Sequence, residues 1–184
     1  RSVVELVVTH LIALSRRLFE TCEHTRKGGF DKSATERYEI QGRVLGILGL
    51  GNIGRQVARV AESLGMSVVF YDTREVSREL GREMGWREAK NIEDLFRSSD
   101  YLTVHLSATD INGQSNRGLL TLEHFLQLGA DRSPDSPRIF LNLARGFLHT
   151  ASDLLQAVNQ GALRRAAVDV FPEEPRGKEP WTNP

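Results

Sequence analysis

Residues 44–72, VLGILGLGNIGRQVARVAESLGMSVVFYD, constrain the fold of this chain more than any other stretch. An apolar run ends in Gly49-x-Gly51-x-x-Gly54, and a helical pattern follows that closes on Gly65. A second apolar run then stops at Asp72. The three glycines have separate tasks in that context. Gly49 permits a tight turn out of a strand, Gly51 lets main chain approach a ligand with no Cβ between, and Gly54 lets the helix press against the strand.

The N–H groups of the first helical turn, near Asn52 and Ile53, then face outward along the helix dipole and suit a phosphate. A carboxylate at Asp72 suits the two hydroxyls of an adenosine ribose and repels a 2′-phosphate. The stretch predicts a dinucleotide site that prefers NAD to NADP, with Arg74 the one neighbour of opposite tendency.

Further apolar runs continue the pattern: YLTVHL, RIFLNL and RRAAVDV join RVLGIL and SVVFY as expected strands. Helical segments alternate with them, namely NIEDLFRSS, GLLTLEHFLQLG and TASDLLQAVNQG, the last two stopping at a glycine. Continuous apolar strands alternating with helices predict an α/β fold, a doubly wound parallel sheet of the Rossmann dinucleotide-binding type, over 43–171. Residues 1–27 predict a long N-terminal helix, apolar on more than one face, that must be covered from two sides. Its expected partners are this sheet and either another domain or a second copy, making a homodimer or higher homo-oligomer. The segment 129–138, GADRSPDSPR, reads as a polar loop, and 172–184 as an exit segment toward a substrate domain.

Lys and Arg total 24, as do Asp and Glu, so the formal charge is zero. That balance argues against a nucleic-acid or anionic-membrane surface. Glu5 and His10 interrupt the first helix well short of the roughly 20 clean residues a membrane span needs. The single cysteine, Cys22, allows no internal disulfide and fits a cytoplasmic setting. No residue set suggests a metal site. The abrupt start inside a helical pattern gives the chain the look of a fragment.

The motifs GLGNIG, AESLGM, FYD, LTVHL, NLARG and ALRRAAVDVFPEEP, in this order, resemble the D-isomer-specific 2-hydroxyacid dehydrogenases, over nearly the whole chain. Within that family the likeness is strongest to the branch acting on D-3-phosphoglycerate, the first step of serine synthesis. The resemblance implies hydride transfer between NAD and that substrate or a similar 2-hydroxy or 2-keto acid. By the same token Arg145 holds the substrate carboxylate, Glu174 pairs with a catalytic His, and Asp169 lies near the nicotinamide carboxamide. His105, Ser107, Leu143 and Ala144 would line the cofactor. An Arg is chemically suited to that first role, because its planar fork makes paired, charge-assisted hydrogen bonds.

Some positions depart from the family pattern. Ser107 stands where proline is usual, and Leu148-His149 where Val-Asp is usual; the loop near Pro134 and Pro137 is longer. These changes are expected at the adenine and nicotinamide walls or at an oligomer surface. The family's catalytic His would fall beyond Pro184, so residues 1–184 alone are expected to bind NAD(H) without turnover. His149 reads as a surface loop residue rather than a replacement base. Glyoxylate or hydroxypyruvate reduction, and a non-catalytic NAD(H)-responsive module, stay open as alternatives.

Overall fold

The computed structural model describes residues 2–173. Six strands form one parallel sheet: β1 (Val44–Leu48), β2 (Ser67–Tyr71), β3 (Arg87–Glu88), β4 (Tyr101–Val104), β5 (Ile139–Asn142) and β6 (Arg165–Val168), in the order β3-β2-β1-β4-β5-β6. All five pairings are parallel. Strand order reverses between β1 and β4, which is where a doubly wound sheet opens a crevice at its carboxyl edge.

The central strands β1, β4 and β5 are buried at every residue and largely apolar because both faces are covered. Leu45, Ile47, Tyr101, Ile139 and Leu141 face one core. There they pack under α1 (Ser2–Arg16) and α3 (Gly54–Ser63), which supply Val4, Val7, Leu11, Val57, Ala58 and Ala61. Val44, Leu48, Leu102, Val104 and Phe140 face the other. That core is closed by α5 (Ile92–Arg97), α6 (Leu122–Gln127) and α7 (Ala151–Asn159). Successive residues of a strand point to opposite faces, so one run of sequence feeds two cores.

Local chemistry starts and stops these helices. Asn91 caps α5 by accepting the Asp94 N–H at 2.7 Å, and Thr150 caps α7 by accepting the Asp153 N–H at 3.0 Å. Gly65, expected to end α3, does so at φ 80°.

Two expectations change. The N-terminal segment is not one long helix: Arg17, in the left-handed region at φ 54°, separates α1 from α2 (Leu18–Arg26). The sheet also has a sixth, two-residue strand, preceded by α4 (Glu75–Glu83), neither legible as an apolar run. β3 is an edge strand held by charge, with Arg78 and Arg82 each bridging Glu75 on α4 and Glu88 on β3. Charges of this kind discourage pairing of an open edge with another chain.

Candidate functional site

Leu48, Tyr71, Val104, Asn142 and Val168 lie in one register row across the carboxyl edge of the sheet. Every described candidate from the sequence except Ser107 follows one of these residues or sits in the glycine turn and helix start beside it. Gly49 follows Leu48, Asp72 follows Tyr71, His105 follows Val104, Leu143–Arg145 follow Asn142, and Asp169 follows Val168. The fold thus gathers on one edge what the sequence scatters over 120 residues.

At the glycine turn, Gly49 has φ 95° and donates its N–H to the Tyr71 carbonyl at 2.9 Å. A Cβ there would lie 3.0 Å from the His105 carbonyl oxygen, so the turn is pressed against the end of β4. A Cβ on Gly54 would collide with the Gly49 carbonyl oxygen. At Gly51 the nearest obstacle is Arg74 Nη2, at 3.3 Å. Ile53 precedes α3 with no side chain capping the helix. Asn52 turns its side chain to Arg55, whose Nη2 donates to Oδ1 at 2.7 Å. Bare backbone, the uncapped start of the ten-residue α3 and a nearby acid fit the diphosphate and ribose of a dinucleotide.

Asp72 is only 6% exposed. Its Oδ2 accepts the Leu50 N–H at 2.7 Å and Arg74 Nη2 at 2.8 Å. Its Oδ1 accepts the Arg74 N–H at 2.9 Å and Nε at 3.1 Å. Burial alone would raise this pKa, but the hydrogen bonds from Arg74 and Leu50 outweigh it and hold the carboxyl below its ordinary value. The acid is ionised and preorganised, with Arg74 lying across it. A cavity of ≈ 470 Å³ adjoins this pair and is bordered by Gly51, Asn52, Arg55 and Arg74.

His105 sits partly buried at the end of β4, its N–H bonded to the Leu48 carbonyl at 2.8 Å and its Nε2 3.1 Å from Thr103 Oγ1. Burial pushes its pKa down to about 4, so the ring is neutral at pH 7. Ser107 is exposed and turned into its own loop, its Oγ donating to the Thr109 carbonyl at 2.5 Å.

The Arg145 loop depends on a residue that sequence reasoning passed over. Asn142, fully buried, donates from Nδ2 to the Arg145 carbonyl at 3.0 Å and accepts the Ala144 N–H on Oδ1 at 3.1 Å. Its carbonyl accepts the Asp169 N–H at 3.1 Å, tying the exits of β5 and β6 together. The signal was one amide inside an otherwise apolar strand. Leu143 is buried and Ala144 half-buried, while the Arg145 side chain is exposed and, among the described residues, donates to the Ala144 carbonyl at 2.6 Å. A Cβ on Gly146 would strike the Phe171 backbone, so the segment entering FPEEP passes directly against the Arg145 loop. Asp169 is exposed at that exit; Glu174 lies outside the described residues.

One expectation about the departures is corrected, and of the two places expected for the 129–138 loop one drops out. His149 is not on the surface: it is 5% exposed and packs edge-on against Phe125 and Phe140. Burial lowers its pKa, and Nδ1 contacts only the neighbouring Thr150 carbonyl at 3.1 Å. The 129–138 loop does not approach the cofactor walls. Arg132 bonds Asp100, the residue before β4, at the amino edge of the sheet.

Among the described residues no helix is long and apolar enough to cross a membrane, and no group of three or more His, Cys, Asp or Glu is placed to hold a metal.

Comparison with known proteins identifies the family. The family profile for the D-isomer specific 2-hydroxyacid dehydrogenase, NAD binding domain, matches residues 8–184. D-3-phosphoglycerate dehydrogenase of Haemophilus influenzae is 36% identical over 175 residues, covering 95% of this chain and 39% of that protein. Glyoxylate reductase of Aeropyrum pernix is 32% identical, covering 90% of this chain and 48% of the relative. This chain therefore spans less than half the length of these curated relatives. A solved phosphoglycerate oxidoreductase from Vibrio cholerae superposes with a TM-score of 0.78 at 29% identity, covering 95% of this chain and 54% of the other. The sheet order, the glycine turn with its buried acid, and these matches agree: the chain belongs to the D-isomer specific 2-hydroxyacid dehydrogenase family, as its NAD-binding domain.

Proposed function

We propose that the protein carrying this domain transfers a hydride between D-3-phosphoglycerate and NAD. The observation that carries the reading is the position of Arg145, one bend beyond β5 in the row that starts at the glycine turn, with its guanidinium left exposed. The nicotinamide ring supplies a hydride acceptor or donor. The rest is done by side chains. Asp72 and the Gly49–Gly54 turn hold the adenosine and diphosphate. Arg145 binds the substrate carboxylate and draws charge from the carbonyl that forms as C2 loses its hydride. Asn142 fixes the backbone of that loop. Asp169 orients the carboxamide, and Glu174 pairs with the base that accepts the hydroxyl proton.

Neither histidine near the site suits the role of that base. His105 is neutral but paired with Thr103, and His149 is walled in by Phe125 and Phe140. Residues 1–184 alone then bind NAD(H) without turnover. In the complete protein, Arg145→Ala lowers kcat/KM for 3-phosphoglycerate by about 10² to 10³, with thermal stability little changed because among the described residues the guanidinium bonds its neighbour's carbonyl alone. Full activity in Arg145→Ala, or sustained NADH production by residues 1–184, overturns the reading.

A second substrate is favoured by the Aeropyrum relative, whose name gives glyoxylate. Competing glyoxylate against 3-phosphohydroxypyruvate separates the two. A reducing, cytoplasmic setting and a place in serine biosynthesis belong to the first reading. So does a homodimer, supported by Leu6 and Ile12 on α1 and Leu18 and Phe19 on α2, exposed between 36% and 54%. Sedimentation at micromolar concentration is expected to give a dimer, and Ile12→Glu with Phe19→Glu a monomer; a monomeric parent overturns this.

A further inference from the structure

Ser133-Pro134 and Ser136-Pro137 are the only Ser-Pro or Thr-Pro pairs in the sequence, and both lie in the 129–138 loop. The fold holds the two ends of that loop. Asp131 accepts Arg97 Nε at 3.2 Å, Arg132 Nε donates to Asp100 at 3.2 Å, and Arg164 Nε donates to the Ser136 carbonyl at 3.3 Å. Between these anchors Ser133, Pro134 and Asp135 stand exposed.

The two serines therefore differ although each precedes a proline. Ser136 is 0% exposed and Pro137 is buried behind it, so no second protein reaches that hydroxyl unless the loop opens. The Ser133 hydroxyl lies on the exposed tip, where it accepts the Asp135 N–H at 3.3 Å. One backbone hydrogen bond, from the Ser136 N–H to the Ser133 carbonyl at 2.8 Å, closes the turn.

A guanidinium stands beside this tip. Arg164 Nη2 is 3.5 Å from the carbonyl of Pro134, the residue next to Ser133. Among the described residues the other hydrogen-bonding contacts of that guanidinium are also long: 3.3 Å to the Ser136 carbonyl and 3.5 Å to Glu36. A doubly charged anion on Ser133 would offer Arg164, and the adjacent Arg132, shorter and charge-assisted hydrogen bonds.

We propose that Ser133 is a phosphorylation site for a protein kinase that requires proline after its target serine, with Arg164 receiving the phosphate. In the transfer, Ser133 Oγ attacks the γ-phosphorus of ATP. The Oγ–P bond forms as the bond from that phosphorus to the β,γ-bridging oxygen breaks; ADP leaves, and the hydroxyl proton passes to the base of the kinase. The loop packs at the amino edge of the sheet, so the modification orders the loop and leaves the groove at the carboxyl edge untouched. The proposal stands whatever that groove binds.

The test incubates the chain with ATP and such a kinase, beside a synthetic 129–138 peptide as the unfolded control, and maps the phosphate by mass spectrometry. The folded chain is expected to take phosphate on Ser133 about tenfold or more faster than on Ser136, because Ser136 reacts only after local opening. The peptide is expected to take it on both. Ser133→Ala removes the modification of the folded chain, and Ser136→Ala keeps it. Backbone hydrogen exchange over 133–138 is expected to slow by roughly three- to tenfold on phosphorylation, and Arg164→Gln to cancel that slowing. Equal rates on the two serines of the folded chain, or a chain or peptide left unmodified, overturn the site. Exchange that phosphorylation leaves unchanged, or slows equally in Arg164→Gln, overturns the role given to Arg164.

Discussion

Two buried aspartates mark the two edges of the sheet, and the same chemistry serves different ends at each. Asp72, at the carboxyl edge, accepts the Leu50 N–H and the guanidinium of Arg74. Asp100, at the amino edge and 1% exposed, accepts the Val44 N–H at 2.9 Å and Arg132 Nε at 3.2 Å. Arg43 approaches it to 3.9 Å. Asp100 is closed in by arginines from distant parts of the chain, so its ion pairs staple the 129–138 loop and the start of β1 to β4. Asp72 instead has one arginine partner, two residues away and 52% exposed, beside an open cavity and a glycine turn. A buried acid beside open space and bare backbone is left available to a ligand, and one enclosed by distant arginines acts as a staple.

Replacing each acid breaks or sharpens that contrast most strongly. Asp72→Ala is expected to weaken NADH binding by about ten- to a hundredfold, the loss of hydrogen bonds to a charged group. Asp100→Ala is expected to leave NADH affinity unchanged and lower unfolding free energy by about 1–3 kcal/mol, because the Val44 N–H is then buried unpaired. Titration and denaturant unfolding on both variants check this; reversed phenotypes break the comparison.

Acid should act next, and again on the carboxyl-edge side. The folded-state pKa values of His105 and His149 both lie below the ordinary value, His105 at about 4. The folded state therefore favours neutral rings. Their contribution is complete above the unfolded value near 6.5 and falls as pH drops from there toward 4, where the unfolded chain takes up protons first. Thermal unfolding should show the melting temperature declining across that window, and His149→Phe should flatten the slope. A melting temperature that holds or rises from pH 7 to 5 contradicts this.

The smallest effect expected is at Arg74. Its guanidinium occupies acceptor positions on Asp72 that ribose hydroxyls would use, while exposure to solvent weakens the pair. Arg74→Ala should raise NADH affinity by at most about threefold. A fall in NADH affinity would show instead that Arg74 itself contacts the nucleotide.

Much of the carboxyl edge was legible because its signals are short-range. The turn from Gly49 to Gly54 and the acid at Asp72 declare themselves through neighbours in one βαβ unit, and apolar runs identify strands covered on both faces. Other features depend on contacts between residues far apart in sequence. His149 reads as a loop residue until Phe125 and Phe140 enclose it. Nothing local says that Ile111 shares a cavity with Val76.

By itself the sequence determined the alternation of strands and helices, the place of the glycine turn after β1 and of the acid that follows β2. These follow from backbone sterics and periodicity, which act within a few residues. Only the tertiary structure decided that Arg74 covers Asp72, that Asn142 joins the exits of β5 and β6, and that the long 129–138 loop faces away from the groove. Each of those depends on which groups remain unpaired once the cores have closed, and burial makes that selection only in the assembled fold.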